Sequence, residues 1–254
     1  MPLNLIKRVN NNIKMYNYFV FSGGAYKGYA FLGSLEYLYS RAIIKDPKFM
    51  LGFTGTSIGA LYALMCSVGI PIGQFRPTID SFLQKYGISQ KSVESMVYSL
   101  INQNTTFNQL YKQTGQILVI VAAAKINCSN IDYKQKNTRP VYFSHIDTPT
   151  VSVADAVIAA MSVPIFMKPK IINNGCYIDG GLLNNFPMNV FPYKDTLGFN
   201  LDQAVNLNNV INIGCSKTCA AFGHFGHWIK PNRARRKLYF IEGLNAAKLW
   251  SLNL

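Results

Sequence analysis

The sequence predicts an α/β protein in which helices cover a central, mostly parallel sheet. Between residues 16 and 70, apolar strand-like runs alternate with helical segments in the order strand, helix, strand, helix. Glycines follow both strand-like runs, which is typical of turns that lead from a strand into a helix. The chain has 254 residues, of which 49% are hydrophobic and 14% charged, so it can bury a sizeable core.

The N-terminal half supplies the alternation. Residues 16–22, YNYFVFS, form a short aromatic and apolar run that reads as a buried strand. Residues 29–42 carry apolar side chains at helical spacing. Residues 48–55 predict a second strand, and the continuously apolar residues 58–70 predict a buried helix.

The C-terminal half of the chain continues the pattern of predicted strands and helices up to about residue 200. Residues 73–115 are more polar and helical in character. Residues 116–126, QILVIVAAAKI, predict the clearest strand of the chain, with a neighbouring strand at 139–145. An apolar helix is predicted at 152–162, and a strand that breaks at glycines at 176–187. Beyond residue 200 the pattern weakens.

The termini and the cysteines bear on localisation. The basic, Asn-rich N-terminal segment lacks the long apolar core and cleavage site of a signal peptide. The longest apolar stretch, residues 58–72, is shorter than the ~20 residues that span a bilayer. The five scattered cysteines are typical of reduced thiols. We therefore expect an intracellular protein, soluble or peripherally bound to a membrane.

The stretch GTSIG, residues 55–59, has the pattern G-x-S-x-G and lies between a predicted strand and a predicted helix. A turn this tight leaves no room for side chains at Gly55 and Gly59. It therefore pushes the Ser57 hydroxyl out over the end of the sheet, where a nucleophile is needed. Ser57 is the candidate nucleophile.

Two further glycine-containing turns follow predicted strands. SGGAYKG, residues 22–28, opens a helix whose free N–H groups suit a negative charge. It lacks the acidic residue of a dinucleotide site and the Lys-Ser/Thr of a P-loop, so neither nucleotide site is expected. DGG, residues 179–181, supplies Asp179, which can activate a serine hydroxyl as a base.

Taken together, these stretches resemble the patatin-like phospholipase family. FSGGAYKGYAFLGSLEYL is similar to that family's glycine-rich oxyanion segment, and GTSIGAL is similar to its nucleophile motif. Residues 152–187 resemble the segment that leads to the family's catalytic aspartate. The likeness covers roughly residues 16–200, which we expect to be the hydrolase core, with residues 201–254 as a C-terminal extension packed on it or facing the membrane.

The resemblance implies a three-layer α/β/α fold and hydrolysis of lipid acyl esters by a Ser–Asp dyad, without a metal or other cofactor. Ser57 is then the nucleophile and Asp179 the base. Residues that surround the oxyanion donors are Gly23, Gly24 and Ala25; residues that support the motifs are Lys27, Gly28, Gly55, Gly59, Gly180 and Gly181. One departure is Ala25, which stands where the family has glycine.

Two other chemistries are open on the same residues. The order Ser57, Asp179, then His224 or His227 also fits the Ser-Asp-His triad of an α/β-hydrolase esterase. Cys215 and Cys219 lie close enough to these histidines in sequence to suggest zinc, although at unusual spacings.

The charge of the chain predicts an anionic partner. Lys and Arg number 25 against 11 Asp and Glu, which gives a net charge of +14. A basic run near the C-terminus concentrates this charge beside an aromatic residue: Trp228, Lys230, Arg233, Arg235, Arg236 and Lys237. No nucleic-acid-binding motif accompanies it, so we expect an anionic phospholipid surface and no nucleic acid. A non-catalytic basic protein that binds membrane or nucleic acid is the alternative.

Overall fold

A computed structural model of the chain describes residues 15–86, 89–125, 138–164, 166–214 and 232–254. One eight-stranded sheet forms its centre, in the order β5-β6-β3-β2-β1-β7-β8, with β4 also paired to β3. The strands are β1 (Tyr18–Phe21), β2 (Gly52–Thr56), β3 (Ile117–Lys125), β4 (Thr138–Phe143), β5 (Lys170–Ile172), β6 (Gly175–Asp179), β7 (Thr196–Asn200) and β8 (Val210–Asn212).

The centre of the sheet is parallel and one side of it is antiparallel. Strand β1 pairs in parallel with β2 and β7, β2 with β3, and β7 with β8. Strands β4 and β6 run antiparallel to β3, and β5 runs antiparallel to β6. All residues of β2 and β7 are buried, so both faces of the sheet are covered there. The expected α/β class with a mostly parallel centre is confirmed.

Seven helices flank this sheet in the described residues: α1 (Tyr29–Ser40), α2 (Ile58–Ser67), α3 (Ile72–Tyr86), α4 (Gln90–Leu100), α5 (Phe107–Thr114), α6 (Val153–Ala160) and α7 (Arg233–Ser251). Every residue of α2 is buried, which explains why its sequence is apolar without a polar face. The polar region predicted to be helical resolves into α3, α4 and α5.

The strand register brings the two motif residues to the same level of the sheet. Thr56, the last residue of β2, pairs with Val121 on β3. The next residue of β3, Ala122, pairs with Asp179 at the end of β6. Although β6 is antiparallel to β3, it ends where β2 ends, so Ser57 and Asp179 emerge on the same edge of the sheet.

Residues beyond 200 contribute to the same sheet and to its covering layer. Strand β8 pairs with β7, so residues on both sides of position 200 belong to one sheet. Helix α7 packs on α1, and both helices run in the same direction. Tyr29 lies near Arg236 at one end, and the Tyr37 and Ser251 hydroxyls lie 3.4 Å apart at the other.

Two expectations are corrected at the local level. Residues 48 and 49, placed at the start of the second predicted strand, belong to a short 3-10 helix, Pro47–Phe49, and β2 starts at Gly52. Cys176 is disulfide-bonded, so the expectation of reduced cysteines is wrong for this residue, whereas Cys66 is free and buried. Among the described residues, no helix combines the length and the apolar character that crossing a bilayer requires.

Candidate active site

Ser57 lies at a sharp turn between β2 and α2. Its backbone is at φ 54° and ψ −127°, a region that non-glycine residues seldom occupy. A Cβ on Gly55 would overlap the carbonyl oxygen of Gly59, and a Cβ on Gly59 would overlap that of Phe21. Close backbone approach at both positions therefore requires glycine, as the sequence pattern predicts.

Asp179 is buried at the end of β6, and its carboxyl group has few partners. Oδ1 accepts the Gly181 amide N–H at 2.7 Å. Oδ2 is buried and accepts no well-aligned hydrogen bond from the described residues. Burial raises the pKa of Asp179 to about 6, while the neighbouring Ser57 side chain and the Gly181 amide hold it down. The carboxyl is thus mostly ionised at neutral pH and still able to accept a proton.

The glycine-rich turn after β1 presents two amide groups to the same cavity. The Gly23 N–H donates to the Asn185 carbonyl oxygen at 2.9 Å, so it is not available to a ligand. The N–H groups of Gly24 and Ala25 donate to no group in the described part of the chain. The remaining candidate oxyanion donors are therefore the backbone N–H groups of Gly24 and Ala25. Ala25 has φ 49°, the left-handed region that favours glycine.

A cavity of ≈ 320 Å³ joins these groups. Its residues are Gly23, Gly24, Ala25, Lys27, Ser57, Val163, Pro164, Asp179, Gly181, Leu182, Asn185, Leu201 and Asp202. The structure thus brings the serine, the acid and the glycine-rich turn together in one cavity. Its apolar wall includes Val163 and Leu182, and the nearby Phe166 is 49% exposed. This side of the cavity therefore offers apolar contacts.

Asn185 and Asp202 are cavity residues that the sequence analysis did not single out. The Asn185 side chain packs against Gly23 and Gly181 and donates to Asp202 Oδ2 at 2.8 Å. Asn185 therefore links the oxyanion turn to the turn after Asp179. No local sequence pattern predicts this role of Asn185, because the role arises only where two turns that are 158 residues apart in sequence meet in the fold.

The basic residues predicted to dock on a membrane lie at the start of α7, as far as they are described. Arg233, Arg235 and Lys237 occupy its first five residues. Arg236 lies among them, and its Nη1 is 3.0 Å from Asp80 Oδ1 in an ion pair. Trp228 and Lys230 lie outside the described residues.

The residues of the two alternative chemistries also lie outside the described part: Cys215, Cys219, His224 and His227. His145 is described, but it stacks on Tyr111 with ring centroids 3.8 Å apart and does not line the cavity. In the described structure, the Ser57 side chain is a neighbour of the Asp179 carboxyl, and both residues line the cavity.

A serine at a strand–helix elbow, a buried acid and free amides lie together at one edge of an α/β sheet, and this arrangement is typical of a hydrolase site. The sequence then gives the family. Residues 19–192 match the family described as patatin-like phospholipase, and the chain belongs to that family. The family and the fold expected from the sequence are both confirmed.

The curated relatives are viral proteins. The chain is 27% identical over 230 residues to the uncharacterized protein R571 of Acanthamoeba polyphaga mimivirus, covering 82% of this chain and 71% of that protein. It is 26% identical over 199 residues to the probable lipid hydrolase 463L of Invertebrate iridescent virus 6, covering 70% and 63%. The chain therefore spans about two thirds of the length of these relatives.

Two solved structures with the same fold are bacterial proteins. VipD from Legionella pneumophila matches with a TM-score of 0.62 and 14% identity, covering 92% of this chain and 66% of that one. ExoU, in the ExoU–SpcU complex of Pseudomonas aeruginosa, matches with a TM-score of 0.51 and 15% identity, covering 91% and 52%. At these identities the likeness shows the fold alone.

Proposed function

We propose that the protein is a lipid acyl hydrolase of the phospholipase A type, which cleaves acyl esters of glycerophospholipids through a Ser57–Asp179 dyad. The observation that carries the proposal is the position of the buried Asp179 carboxyl, which shares one cavity with Ser57 and with two free amide groups. The name of the iridescent-virus relative, a probable lipid hydrolase, supports the substrate class.

The first half of the reaction forms an acyl-enzyme. Asp179 Oδ2 accepts the hydroxyl proton as Ser57 Oγ attacks the ester carbonyl carbon. The Gly24 and Ala25 N–H groups bind the resulting oxyanion, a contribution of about 3 kcal/mol per donor in comparable sites. The intermediate then collapses, and the lysophospholipid leaves with the proton from Asp179.

The second half repeats the sequence with water. Asp179 takes a proton from water, and the hydroxide adds to the acyl-serine carbonyl at the same oxyanion position. Collapse breaks the bond to Ser57 Oγ, which regains the proton, and the fatty acid departs. A carboxyl with a pKa of about 6 suits both directions of transfer at neutral pH.

The substrate surface is the second part of the proposal. Long-chain lipids stay in a bilayer, so the enzyme must dock before it turns over. The exposed Phe166 and Leu182 beside the cavity and the basic start of α7 are features of a surface for an anionic membrane. Phospholipid headgroups are the partner that this combination favours over nucleic acid.

Two substitutions test the dyad. Ser57→Ala should abolish hydrolysis of a short-chain ester, because it removes the nucleophile and leaves the elbow backbone unchanged. Asp179→Asn should lower kcat at least ~100-fold, because it removes the base. In the wild type, kcat/KM should rise with pH around an apparent pKa of about 6. Fatty-acid release, followed by titration or mass spectrometry, measures the effect of each substitution and the pH dependence of the wild type.

The double variant His224→Ala/His227→Ala is the matched control for the triad alternative. It should hydrolyse the short-chain ester like the wild type. A loss as large as that of Asp179→Asn would instead favour the Ser-Asp-His triad. Wild-type turnover in a folded Ser57→Ala protein would exclude both mechanisms, whereas a wild-type protein that hydrolyses no ester would favour the non-catalytic alternative.

A further inference from the structure

A second cavity, of ≈ 780 Å³, lies between α3 and the start of α7, outside the catalytic cavity. Its lining includes four cationic side chains, Arg76, Arg233, Arg236 and Lys237, and one acidic side chain, Asp80. The cations come from two different helices, so they surround a space and do not merely follow one helix face. The cavity therefore concentrates positive charge at a place separate from the Ser57 site.

Two of the guanidinium groups are held in place by neighbouring side chains. Arg76 lies over the Phe240 ring at 3.9 Å from its centroid and forms an ion pair with Glu36 at 3.5 Å. Arg236 is held by Asp80 at 3.0 Å. Asp80 Oδ1 also accepts the Tyr29 hydroxyl at 2.6 Å. Fixing these side chains in advance lowers the entropy cost of binding an anion.

The other two cationic side chains, Arg233 and Lys237, are not held in place by ion pairs with described residues. Both are exposed. Their spacing of four residues places like charges one above the other on the helix, which destabilises it. Arg233 is also the first residue of α7, where the macrodipole repels a cation, and the first turn of α7 contains no acid. A bound anion would reverse both effects.

The cavity adjoins the catalytic site. Lys27 lines the catalytic cavity and Tyr29, two residues later, lines the second one. Helix α7 runs parallel to α1, so its basic first turn lies at the edge of the sheet where Ser57 emerges. Both cavities therefore lie toward the same edge of the sheet.

We propose that the α3–α7 cavity binds the phosphomonoester headgroup of an anionic lipid, such as phosphatidic acid, and so docks the protein on membranes rich in it. A phosphomonoester carries up to two negative charges and three acceptor oxygens, which match forked guanidinium donors better than a phosphodiester or a carboxylate. This rests on the proposed function, in which the enzyme works on a membrane; the headgroup site itself is independent of the Ser57 chemistry.

The experiment uses the full chain with Ser57→Ala, so that the lipid is not consumed. Co-sedimentation compares phosphatidylcholine vesicles that contain phosphatidic acid with vesicles that contain phosphatidylserine at matched surface charge. The test pair is Arg233→Ala with Lys237→Ala. The control pair is Lys91→Ala with Lys248→Ala. Both lysines are exposed and lie on helices, and replacing them removes the same total charge as the test pair does.

We expect tighter binding to phosphatidic acid vesicles, and the test pair should lose this binding by on the order of 30-fold, from two charges near the surface. The control pair should keep the preference for phosphatidic acid. Arg76→Gln, on the opposite wall, should also lose it. With Ser57 intact, the test pair should still hydrolyse a short-chain ester, which separates this proposal from the catalytic one.

Three results would overturn the proposal. One is equal binding to the two kinds of vesicle. Another is a loss in the control pair as large as that in the test pair. The third is binding of inorganic phosphate in solution, measured by calorimetry, with no preference among vesicles, because it would place a free phosphate and not a lipid headgroup in the cavity.

Discussion

Ala25 combines a proposed catalytic amide with backbone strain. Its φ of 49° lies in the region that costs an L-residue with a side chain roughly 1 kcal/mol. Ala25→Gly should therefore raise the free energy of unfolding by about 1 kcal/mol. It should keep kcat close to the wild-type value, because the N–H group stays in place. Urea denaturation and ester hydrolysis measure the two effects.

Ala42 provides the matched control for this change. It also has a positive φ, 53°, but it is exposed beyond the end of α1 and away from the catalytic cavity. Ala42→Gly should stabilise the protein by a similar amount. A destabilised Ala25→Gly protein beside a stabilised Ala42→Gly protein would mean that the turn at residue 25 is not strained.

Asp179 should weaken the fold at the pH where it works. Its native pKa of about 6 lies above the ordinary value of 3.8, so the native state holds the proton more tightly than the unfolded chain does. The free energy of unfolding therefore falls as pH rises from about 4 through 6, by roughly 3 kcal/mol in total, and then levels off. Asp179→Asn should remove this loss and raise the Tm at pH 8, with little difference at pH 4.

The exposed Asp195→Asn is the comparison for that measurement, since it makes the same chemical change outside the cavity. It should leave the pH dependence of Tm as in the wild type. If Asp179→Asn lowers the Tm at pH 8, the buried carboxylate stabilises the fold and the argument from burial is wrong.

At the residue scale, the sequence predicted those residues whose chemistry requires one residue type with glycines at fixed neighbouring positions. Ser57 between glycines and Asp179 before glycines are such groups, and the structure places both in one cavity. Asn185 was not predictable, because its contacts with Gly23 and Gly181 arise only when distant turns meet. Its neighbour Asp202 follows a strand that the sequence analysis did not detect.

Among the elements, the crossing of α1 and α7 depends on two glycines. A Cβ on Gly243 would overlap the Ala30 carbonyl oxygen, and a Cβ on Gly33 would overlap that of Phe240. The Ser34 hydroxyl donates to the Gly243 carbonyl oxygen at 2.8 Å at the same point. The two helix backbones are therefore in direct contact.

Gly243→Ala should destabilise the protein by about 2 kcal/mol or more, because the helices must separate to admit one methyl group. Gly73→Ala on α3 is the matched control, since a Cβ there meets nothing within 4 Å. It should stabilise the protein by up to about 1 kcal/mol through helix propensity. Equal effects of the two substitutions in urea denaturation would contradict the close contact.

This crossing also explains why α7 was not predicted. The buried positions of α7 are Tyr239, Gly243 and Ala247, so its inner face carries small residues and little apolar periodicity. Strand β7 was missed for a related reason, since it is five residues long and contains Gly198. The long apolar run of β3 and the apolar α2 were predictable because burial on all sides dictates their composition.

Over the whole molecule, the net charge of +14 should make membrane hydrolysis sensitive to salt. The Debye length falls from about 10 Å at 0.1 M salt to about 3 Å at 1 M, so added salt screens long-range attraction to anionic lipid. Hydrolysis of anionic vesicles should drop with salt, whereas hydrolysis of a short-chain ester in solution should not. Phosphatidylcholine vesicles are the uncharged control, and an equal drop on them would point to an effect of salt on the enzyme.

The parallel course of α1 and α7 has a practical consequence for attaching the protein to a surface. Because α7 begins beside the catalytic edge, its last turn lies at the far side of the sheet, where Trp250 donates to the Asn208 carbonyl oxygen ahead of β8. A linker joined after Leu254 would tether the molecule by the side remote from Ser57. A sensor chip built in this way would hold the molecule by the side opposite to both cavities, so the chip itself would not cover them.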